Sequence, residues 1–364
     1  MEEMVPTSAP EFVSHRFRPA PLQVPDIARS EIGLLPDAMD VAVGVGDRLY
    51  VLAKRPSSVY VFEPTGEFVT SFADGLLCPR PHSITVGNDG TVWVTDIENH
   101  VIRHFSADGD HLGDLGTGVA SDTGVDDSIG DFAARTLTIT RAGPPFHDPT
   151  CIAVGAGGDL FVSDGYGNAA VHHFAPGGEL VETWGGPGSA PGRFRNPHAL
   201  ALHDDEVVVC DRENERLQFF ALDGTYLRQW PVQRPAHVAF GPDGRALVVS
   251  MGWNVGEVSF ARGMIETPQS SCLSILGADG RLLDRVGGDG PPWYPGTLTA
   301  AHGISVDSQG TVYIADSTGS MRIAASLSVE ERLARQDAVR RWAHVPVPRE
   351  LEYSPSVHIL TPAL

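Results

Sequence analysis

Residues 197–211 read PHALALHDDEVVVCD, and this stretch decides the fold because its pattern recurs along the chain. A Pro-His start leads into an alternating apolar strand, a polar turn and a second strand that ends in Asp, which is typical of a β-hairpin. The same order appears at residues 81–96, 148–164 and 301–316 with nearly constant spacing. Weaker copies begin near residues 40 and 236. The chain therefore contains six starts of one repeated unit.

Each hairpin is followed by a third strand, such as VIRHF at residues 101–105, and then by a turn and a fourth strand that ends in Gly. A lone four-stranded unit of about 40 residues cannot bury both of its faces, so such units stack as blades around a channel. The sequence predicts an all-β fold, a single six-bladed β-propeller with four-stranded antiparallel blades. The predicted blades span residues 40–73, 79–116, 147–185, 194–231, 233–287 and 298–324.

Three segments lie outside the repeats. The last blade shows two clear strands, so we expect residues 12–22 to supply an outer strand that closes the ring. Residues 117–146 form a long insertion rich in Gly and Asp, which we interpret either as a functional lid or as a flexible connector. Residues 327–342 begin with capping-box spacing and predict a short C-terminal helix that packs against the side of the propeller.

Composition excludes several classes of partner. The 364 residues carry a formal net charge of −20 and no run of Lys or Arg, which argues against binding to nucleic acid. No stretch approaches the ~18 apolar residues of a membrane span, and the acidic start lacks the order of a secretory signal. The four cysteines are scattered without close pairing, as reduced thiols are. We expect a cytoplasmic protein.

Histidines recur at the start of the first strand, which lines the channel in a propeller. Four repeats carry one there: His82, His198, His237 and His302. These side chains either fill the channel with hydrogen bonds or hold an ion. Imidazoles in register repel one another when protonated and lose hydration when neutral, whereas a metal satisfies them all. Three imidazoles are a common way to hold Zn²⁺ with one open position, so the pattern favours a metal site.

The ends of the second strands carry the other candidates. Tyr166 follows the Asp of blade three, Arg212 follows the Asp of blade four, and Lys54 and Arg55 lie at the matching place in blade one. The Asp and Asn residues of these turns commonly bond to backbone amides. Tyr166, Arg212 and Arg55 have no such role, and at the channel mouth they would supply an acid or base and carboxylate recognition.

The runs VSDGYGN at 162–168, NPHAL at 196–200 and DREN at 211–214 resemble peptidyl-α-hydroxyglycine α-amidating lyase, a six-bladed propeller of the NHL-repeat type. The resemblance spans roughly residues 40–320. It implies zinc on the three histidines of blades two, four and six, Tyr166 as the base, and Arg212 and Arg55 near the substrate carboxylate. The implied reaction is breakdown of a carbinolamide to an amide and glyoxylate. The implied ligands are His82, His198 and His302.

The sequence also departs from that family. Gly303 stands where the family has an Asp that contributes to a calcium site, so calcium stays an open alternative, and Gly167 replaces a cysteine. We therefore expect a metal-dependent lyase acting on a small hydroxylated, carboxylated substrate. Two alternatives remain: a non-catalytic NHL propeller that binds a protein or another ligand, and a metal-dependent hydrolase of lactones or esters.

Overall fold

The computed structural model describes residues 16–19, 21–26, 35, 37–54, 56–130, 132–287, 297–317 and 356–361. Six four-stranded antiparallel sheets form the blades, which confirms the predicted six-bladed propeller. The first strand of each blade contacts the first strands of the two neighbouring blades, and the contacts close into a ring. The first strands therefore surround one central channel.

The first three blades follow the chain order without interruption. Blade one contains Ala38–Val43 (β2), Leu49–Lys54 (β3), Ser57–Phe62 (β4) and Phe68–Phe72 (β5). Blade two contains Ile84–Val86 (β6), Val92–Asp96 (β7), Val101–Phe105 (β8) and His111–Leu115 (β9). Blade three contains Pro149–Val154 (β10), Leu160–Asp164 (β11), Ala170–Phe174 (β12) and Leu180–Gly185 (β13).

Blades four to six include one inserted hairpin and the closure of the ring. Blade four contains Pro197–His203 (β14), Glu206–Asp211 (β15), Arg216–Ala221 (β16) and Tyr226–Pro231 (β17). Blade five contains Pro235–Phe240 (β18), Ala246–Ser250 (β19), Cys272–Leu276 (β22) and Leu282–Val286 (β23), with the hairpin Val258–Ser259 (β20) and Gly263–Met264 (β21) inserted. Blade six contains Ala301–Val306 (β24), Val312–Asp316 (β25), Val357–Thr361 (β26) and Arg16–Pro19 (β1).

Blade six joins strands from the two ends of the described chain. Its third strand, β26, pairs with β25, and β1 pairs with the outer edge of β26. The sequence pattern had assigned no third strand to this blade. The predicted helix at 327–342 lies outside the described residues. Elsewhere in the described chain, Phe132–Leu137 (α1) forms a single α-helix within the insertion, and no described helix is long and apolar enough to cross a bilayer.

Apolar side chains fill the space between the blades rather than one common centre. Each of the six buried clusters joins neighbouring blades; Val162 of blade three packs with Ile102 of blade two, for example. Burying a side chain of this size stabilises a fold by about 1.5–3 kcal/mol relative to exposure. Both faces of every blade therefore contribute to the core, which leaves polar side chains for the channel.

An aspartate at the end of the second strand ties a blade to the chain segment that enters it. Asp96 accepts a hydrogen bond from the amide of Cys78 (3.0 Å), and also from Asn99 Nδ2 (2.9 Å) and Arg103 Nε (2.8 Å). Equivalent carboxylates in three other blades accept amides in the same way. These are Asp164, Asp211 and Asp316. The Asp residues therefore have the turn-holding role expected of them.

Candidate functional site

Three buried histidines meet in the channel because they occupy equivalent positions on alternate blades. His198 and His302 lie at β-bulges in β14 and β24, where the pairing register shifts by one residue. His82 lies just before β6, and its amide bonds to the carbonyl of Thr95 in the adjacent strand. The bulge turns each imidazole towards the axis instead of towards a neighbouring blade.

The three imidazoles form a nearly equilateral group. Their ring centroids are 4.7, 4.7 and 4.8 Å apart, and their candidate ligand atoms all lie within 4.8 Å of one another. Three nitrogens bound to one ion by Zn–N bonds of about 2.0–2.1 Å lie within this limit, at most about 3.6 Å apart in a trigonal arrangement. The structure thus brings His82, His198 and His302 together, as predicted, in a group that fits one ion.

Backbone carbonyls fix which nitrogen of each ring faces the centre. The Nδ1 atoms of His82, His198 and His302 lie 2.6, 2.7 and 3.0 Å from the carbonyl oxygens of Thr150, Ala236 and Met39. A carbonyl can only accept, so each Nδ1 carries the proton and donates it. Each Nε2 therefore presents its lone pair to the common centre, which is the orientation of metal-bound histidine.

The same carbonyls reveal an alternation around the ring. Blades two, four and six supply the imidazoles, whereas the acceptor carbonyls come from the bulges of blades three, five and one. Every ligand is thus held by the next blade along the ring. The propeller has six blades, but its histidine group has three members, one from every second blade.

Burial keeps the imidazoles neutral. It lowers the pKa of His82 to about 3, and nearby positive charges on Lys54 and Arg212 act in the same direction. Burial also holds the pKa values of His198 and His302 well below the usual range. Neutral imidazole is the form that binds metal, so the triad needs little proton release to accept an ion.

The Tyr166 hydroxyl lies within hydrogen-bond distance of two histidines of the triad. The turn after β11 carries it there, with the hydroxyl oxygen 3.1 Å from His82 Nε2 and 2.9 Å from His198 Nε2. Arg212 is buried beside it, and its NH1 donates to the same hydroxyl over 3.3 Å. The other edge of the guanidinium donates to Glu213 Oε1 (2.8 Å). A phenol, a guanidinium and three nitrogen lone pairs therefore share one small space.

Lys54 is a cation of this site that the sequence analysis did not select. Arg55, the residue it did select, lies outside the described residues. The pairing of Ala38 with Ala53 matches that of Pro197 with Asp211, so Lys54 is the blade-one equivalent of Arg212. Counting from the paired strand ends, rather than choosing the arginine, would have identified it.

His237 does not belong to the triad, which corrects the sequence alignment of four histidines. The bulge residue of β18 is Ala236, and His237 comes one residue later. Its Nε2 lies 3.8 Å from Asp40 Oδ2 and 3.7 Å from Cys151 Sγ, side chains that are also one residue past their bulges. The pair Ala236–His237 looks like Pro197–His198 in the sequence, but its bulge residue is Ala236, so the alignment placed His237 one position too early.

Asp40 and His237 form a buried ion pair in this second channel layer. Burial by itself lowers the pKa of His237, but the Asp40 carboxylate, Cys151 and the Val238 carbonyl together outweigh it and raise the pKa to about 9. Asp40 Oδ1 and Oδ2 accept the amides of Val41 (2.9 Å) and Ile84 (3.0 Å). A Cβ atom on Gly303 would lie 2.0 Å from Asp40 Oδ1, so glycine is required there.

Comparisons with known proteins agree with this architecture. The family model described as NHL repeat matches residues 79–105. Peptidyl-glycine alpha-amidating monooxygenase B of Xenopus laevis is 28% identical over 296 residues, which cover 74% of this chain and 29% of that protein. Peptidyl-alpha-hydroxyglycine alpha-amidating lyase 1 of Drosophila melanogaster is 32% identical over 188 residues, 48% of this chain and 32% of that protein.

Two further matches are also similar to this chain. Human NHL repeat-containing protein 3 is 26% identical over 229 residues, 59% of this chain and 60% of that protein. The solved structure of virginiamycin B lyase from Staphylococcus aureus superposes with a TM-score of 0.52 at 11% identity, covering 84% of each chain. The repeat match, the six blades and the named relatives together show a six-bladed β-propeller that contains an NHL repeat and is similar in sequence to the peptidyl-α-hydroxyglycine α-amidating lyases.

Proposed function

We propose that this chain is a zinc-dependent lyase that cleaves a small, carboxylated carbinolamide. The observation that carries the proposal is the convergence of three neutral Nε2 lone pairs on a point beside the Tyr166 hydroxyl. Relatives named as amidating lyases support the reaction class. The chain spans 29% of the length of the Xenopus relative, so a lyase activity of this chain is proposed rather than taken over from that protein.

The donor set favours zinc over a hard cation. Three imidazole nitrogens and an open position match catalytic Zn²⁺, whereas calcium takes six to eight oxygen ligands. The neighbouring layer of the channel already contains the buried His237–Asp40 pair, and Gly303 offers no carboxylate. We therefore propose one zinc ion and no calcium ion in this channel.

The protein groups supply proton transfer and orientation. A bound zinc ion contributes Lewis acidity, which lowers the cost of negative charge on a substrate hydroxyl oxygen. Tyr166, acting as phenolate, accepts the hydroxyl proton, a C=O bond forms, and the C–N bond breaks with its electron pair passing to nitrogen. The nitrogen takes up a proton, which balances the one removed, and the products are an amide and glyoxylate. General base catalysis of this kind contributes roughly 10²–10⁴-fold.

Two cations at the mouth favour an anionic substrate. Arg212 and Lys54 occupy equivalent positions on blades four and one, and the charge of both reaches the triad. Guanidinium and ammonium groups both attract a carboxylate, and arginine can bind one through two parallel hydrogen bonds. We propose that these residues orient the carboxylate of the substrate while its hydroxyl faces Tyr166.

The cellular location is part of the same proposal. Each of the four cysteines is a free, buried thiol, with no disulfide among them. Reduced thiols of this kind are usual in the cytoplasm. A cytoplasmic lyase would act on a soluble metabolite rather than on a secreted peptide.

Metal analysis of the purified protein tests the first step. We expect about one zinc ion per chain, lost in His82→Ala and in His198→Ala. His203→Ala is the matched control, because His203 stacks on Phe240 at the end of β14 and should not affect the metal content. A wild-type protein without bound metal, or variants that retain it, would favour the non-catalytic propeller.

Turnover of an α-hydroxyglycine compound tests the second step. Tyr166→Phe should retain zinc and lose roughly 10²-fold or more in kcat because the proton acceptor is gone. Tyr226→Phe removes a hydroxyl from the outer strand of blade four and should leave kcat unchanged. Full activity of zinc-loaded Tyr166→Phe would rule out the assigned base.

A further inference from the structure

The insertion between β9 and β10 packs against the turn that carries Tyr166. Gly167 donates its amide to the carbonyl of His147 (3.0 Å), and its own carbonyl accepts from Thr123 Oγ1 (2.7 Å). Asn168 bonds in both directions to the backbone of Gly143, at 2.6 and 3.2 Å. Segments on both sides of α1 therefore hold the residues that follow Tyr166.

Arg135, in α1, makes the contact to Tyr166 itself. Its NH1 donates to the carbonyl oxygen of Tyr166 over 2.9 Å, while NH2 donates to Asp148 Oδ2 over 2.9 Å. Asp127 binds the same guanidinium, with Nε 3.1 Å from its Oδ1. The side chain is 14% exposed. Two carboxylates thus fix the direction in which Arg135 reaches the turn.

The packing leaves the turn no room to shift towards the insertion. A Cβ atom at Gly167 would lie 2.1 Å from His147 Cδ2, so glycine allows the His147 ring to pack directly against the turn. The His147 ring is buried, and its Nδ1 donates to the carbonyl of Ser121 (2.8 Å). The turn is therefore bounded by β11, by β12 and by the insertion.

We propose that the insertion is a clamp for Tyr166 and that Arg135 is its positioning residue. A group that takes part in proton transfer must be held within about 0.5 Å of its working geometry, which a strand-connecting turn does not achieve without support. Arg135 supplies that support through the Tyr166 carbonyl without contacting the substrate. The catalytic part of this inference rests on the proposed function, whereas the positional part does not.

Fluorine NMR of protein labelled with 3-fluorotyrosine tests the positional part without any assay of activity. The chain has seven tyrosines, and the resonance missing from Tyr166→Phe identifies Tyr166. We expect Arg135→Gln to shift or broaden this resonance and to leave the other six in place. Arg141→Gln is the matched control, since Arg141 lies in the same insertion and pairs with exposed Asp122. An Arg135→Gln spectrum that superimposes on the wild type would overturn the inference.

Kinetics test the catalytic part. In zinc-loaded protein, we expect Arg135→Gln to lower kcat by about 10- to 100-fold with little change in KM, because a displaced base weakens the chemical step more than binding. Arg135→Lys should recover part of kcat, and Arg141→Gln should retain all of it. Unchanged kcat in Arg135→Gln would overturn the positioning role.

The two arms separate the possible failures. If wild-type protein does not cleave the substrate, the proposed function fails, while the NMR arm still decides whether the clamp holds Tyr166. If Arg135→Gln does not fold, Thr123→Val replaces it, because this nearly isosteric change removes one hydrogen bond from the clamp to Gly167. The same shift of the Tyr166 resonance is then expected, and its absence would overturn the inference.

Discussion

At the scale of single residues, two adjacent layers of the channel hold histidine in opposite protonation states. The triad is neutral because burial disfavours its charge, and Lys54 and Arg212 add to that effect. His237 is partly buried, with its side chain 15% exposed, and the Asp40 carboxylate, Cys151 and the Val238 carbonyl raise its pKa to about 9. The two layers therefore differ in the charge that faces their histidines: a carboxylate lies beside His237, whereas cations lie near the triad.

The His237–Asp40 pair makes stability depend on alkaline pH. The folded-state pKa of His237 is about 9, above its ordinary value of 6.5, so its contribution is fully present below pH 6.5 and is lost as the pH rises through 9. His237→Gln leaves Asp40 buried without its cation, and we expect the free energy of unfolding at neutral pH to fall by about 3–5 kcal/mol. Urea denaturation measures this difference.

The same measurement at roughly pH 10 supplies the control, because the wild type has then lost its own imidazolium. The difference in the free energy of unfolding between wild type and His237→Gln should be smaller at this pH than at neutral pH. A gap that stays constant over this range would show that the pair contributes nothing through charge.

The sequence predicted the triad because repetition turns equal positions in the chain into neighbours in space. It could not separate His237 from that set, since His237 follows a small residue as the other histidines do, and only the strand pairing shows that it lies one residue past the bulge. Lys54 was missed for a related reason: two adjacent cations look alike in the sequence, and only the strand pairing shows that Lys54 is the equivalent of Arg212.

At the scale of the element, four of the six blades depend on the carboxylate that ends their second strand. Asp96 is fully buried, and its three bonds reach the incoming segment, the following turn and the third strand. One side chain thus fixes three pieces of backbone relative to one another. An arginine of the third strand contacts the carboxylate in two blades, but from different positions: Arg103 contacts Asp96 in blade two, and Arg216 contacts Asp211 in blade four.

Asp96→Ala should destabilise the protein by about 3–5 kcal/mol, because it leaves buried donors, including the Arg103 guanidinium, without their acceptor. Asp89→Ala is the matched control in the same blade. Asp89 bonds to Thr91 in an exposed hairpin turn, so its loss should cost less than about 1 kcal/mol. Chemical denaturation of both variants distinguishes them, and equal losses would contradict the role given to Asp96.

Most strands can be predicted from the sequence pattern around them, but the third strand of blade six cannot. Blades one to five repeat a strand–turn pattern that hydrophobic alternation and Gly-containing turns specify within each unit. The third strand of blade six, β26, is separated from β25 by the segment between Asp316 and Val357. No pattern inside β25 indicates which distant segment returns to pair with it, so the choice is made by tertiary structure.

At the scale of the whole molecule, the ring is closed by non-covalent pairing alone. β1 is the outer strand of blade six, and it pairs with β26 from Arg16–Thr361 to Pro19–His358. The interface between blades six and one contains its own buried cluster, which includes Tyr313 and Val51. Ring closure therefore joins the first described strand to the last.

Removal of residues 1–19 should weaken this closure, because β26 becomes an unprotected edge. We expect the Tm to fall by roughly 5 °C or more. A synthetic peptide of residues 12–22 should restore part of the loss through binding to the folded state, whereas a scrambled peptide should not. Calorimetry measures both effects, and an unchanged Tm would show that β1 adds no stability.

The alternation of imidazoles and carbonyls around the channel has a consequence for how many blades this centre requires. Each candidate metal ligand takes its tautomer from a peptide group of the following repeat, so no single repeat, or pair of repeats, contains a complete candidate centre. Losing any one repeat would remove either one of the three histidines or one of the carbonyls that orient them, so metal binding at this group would require all six blades.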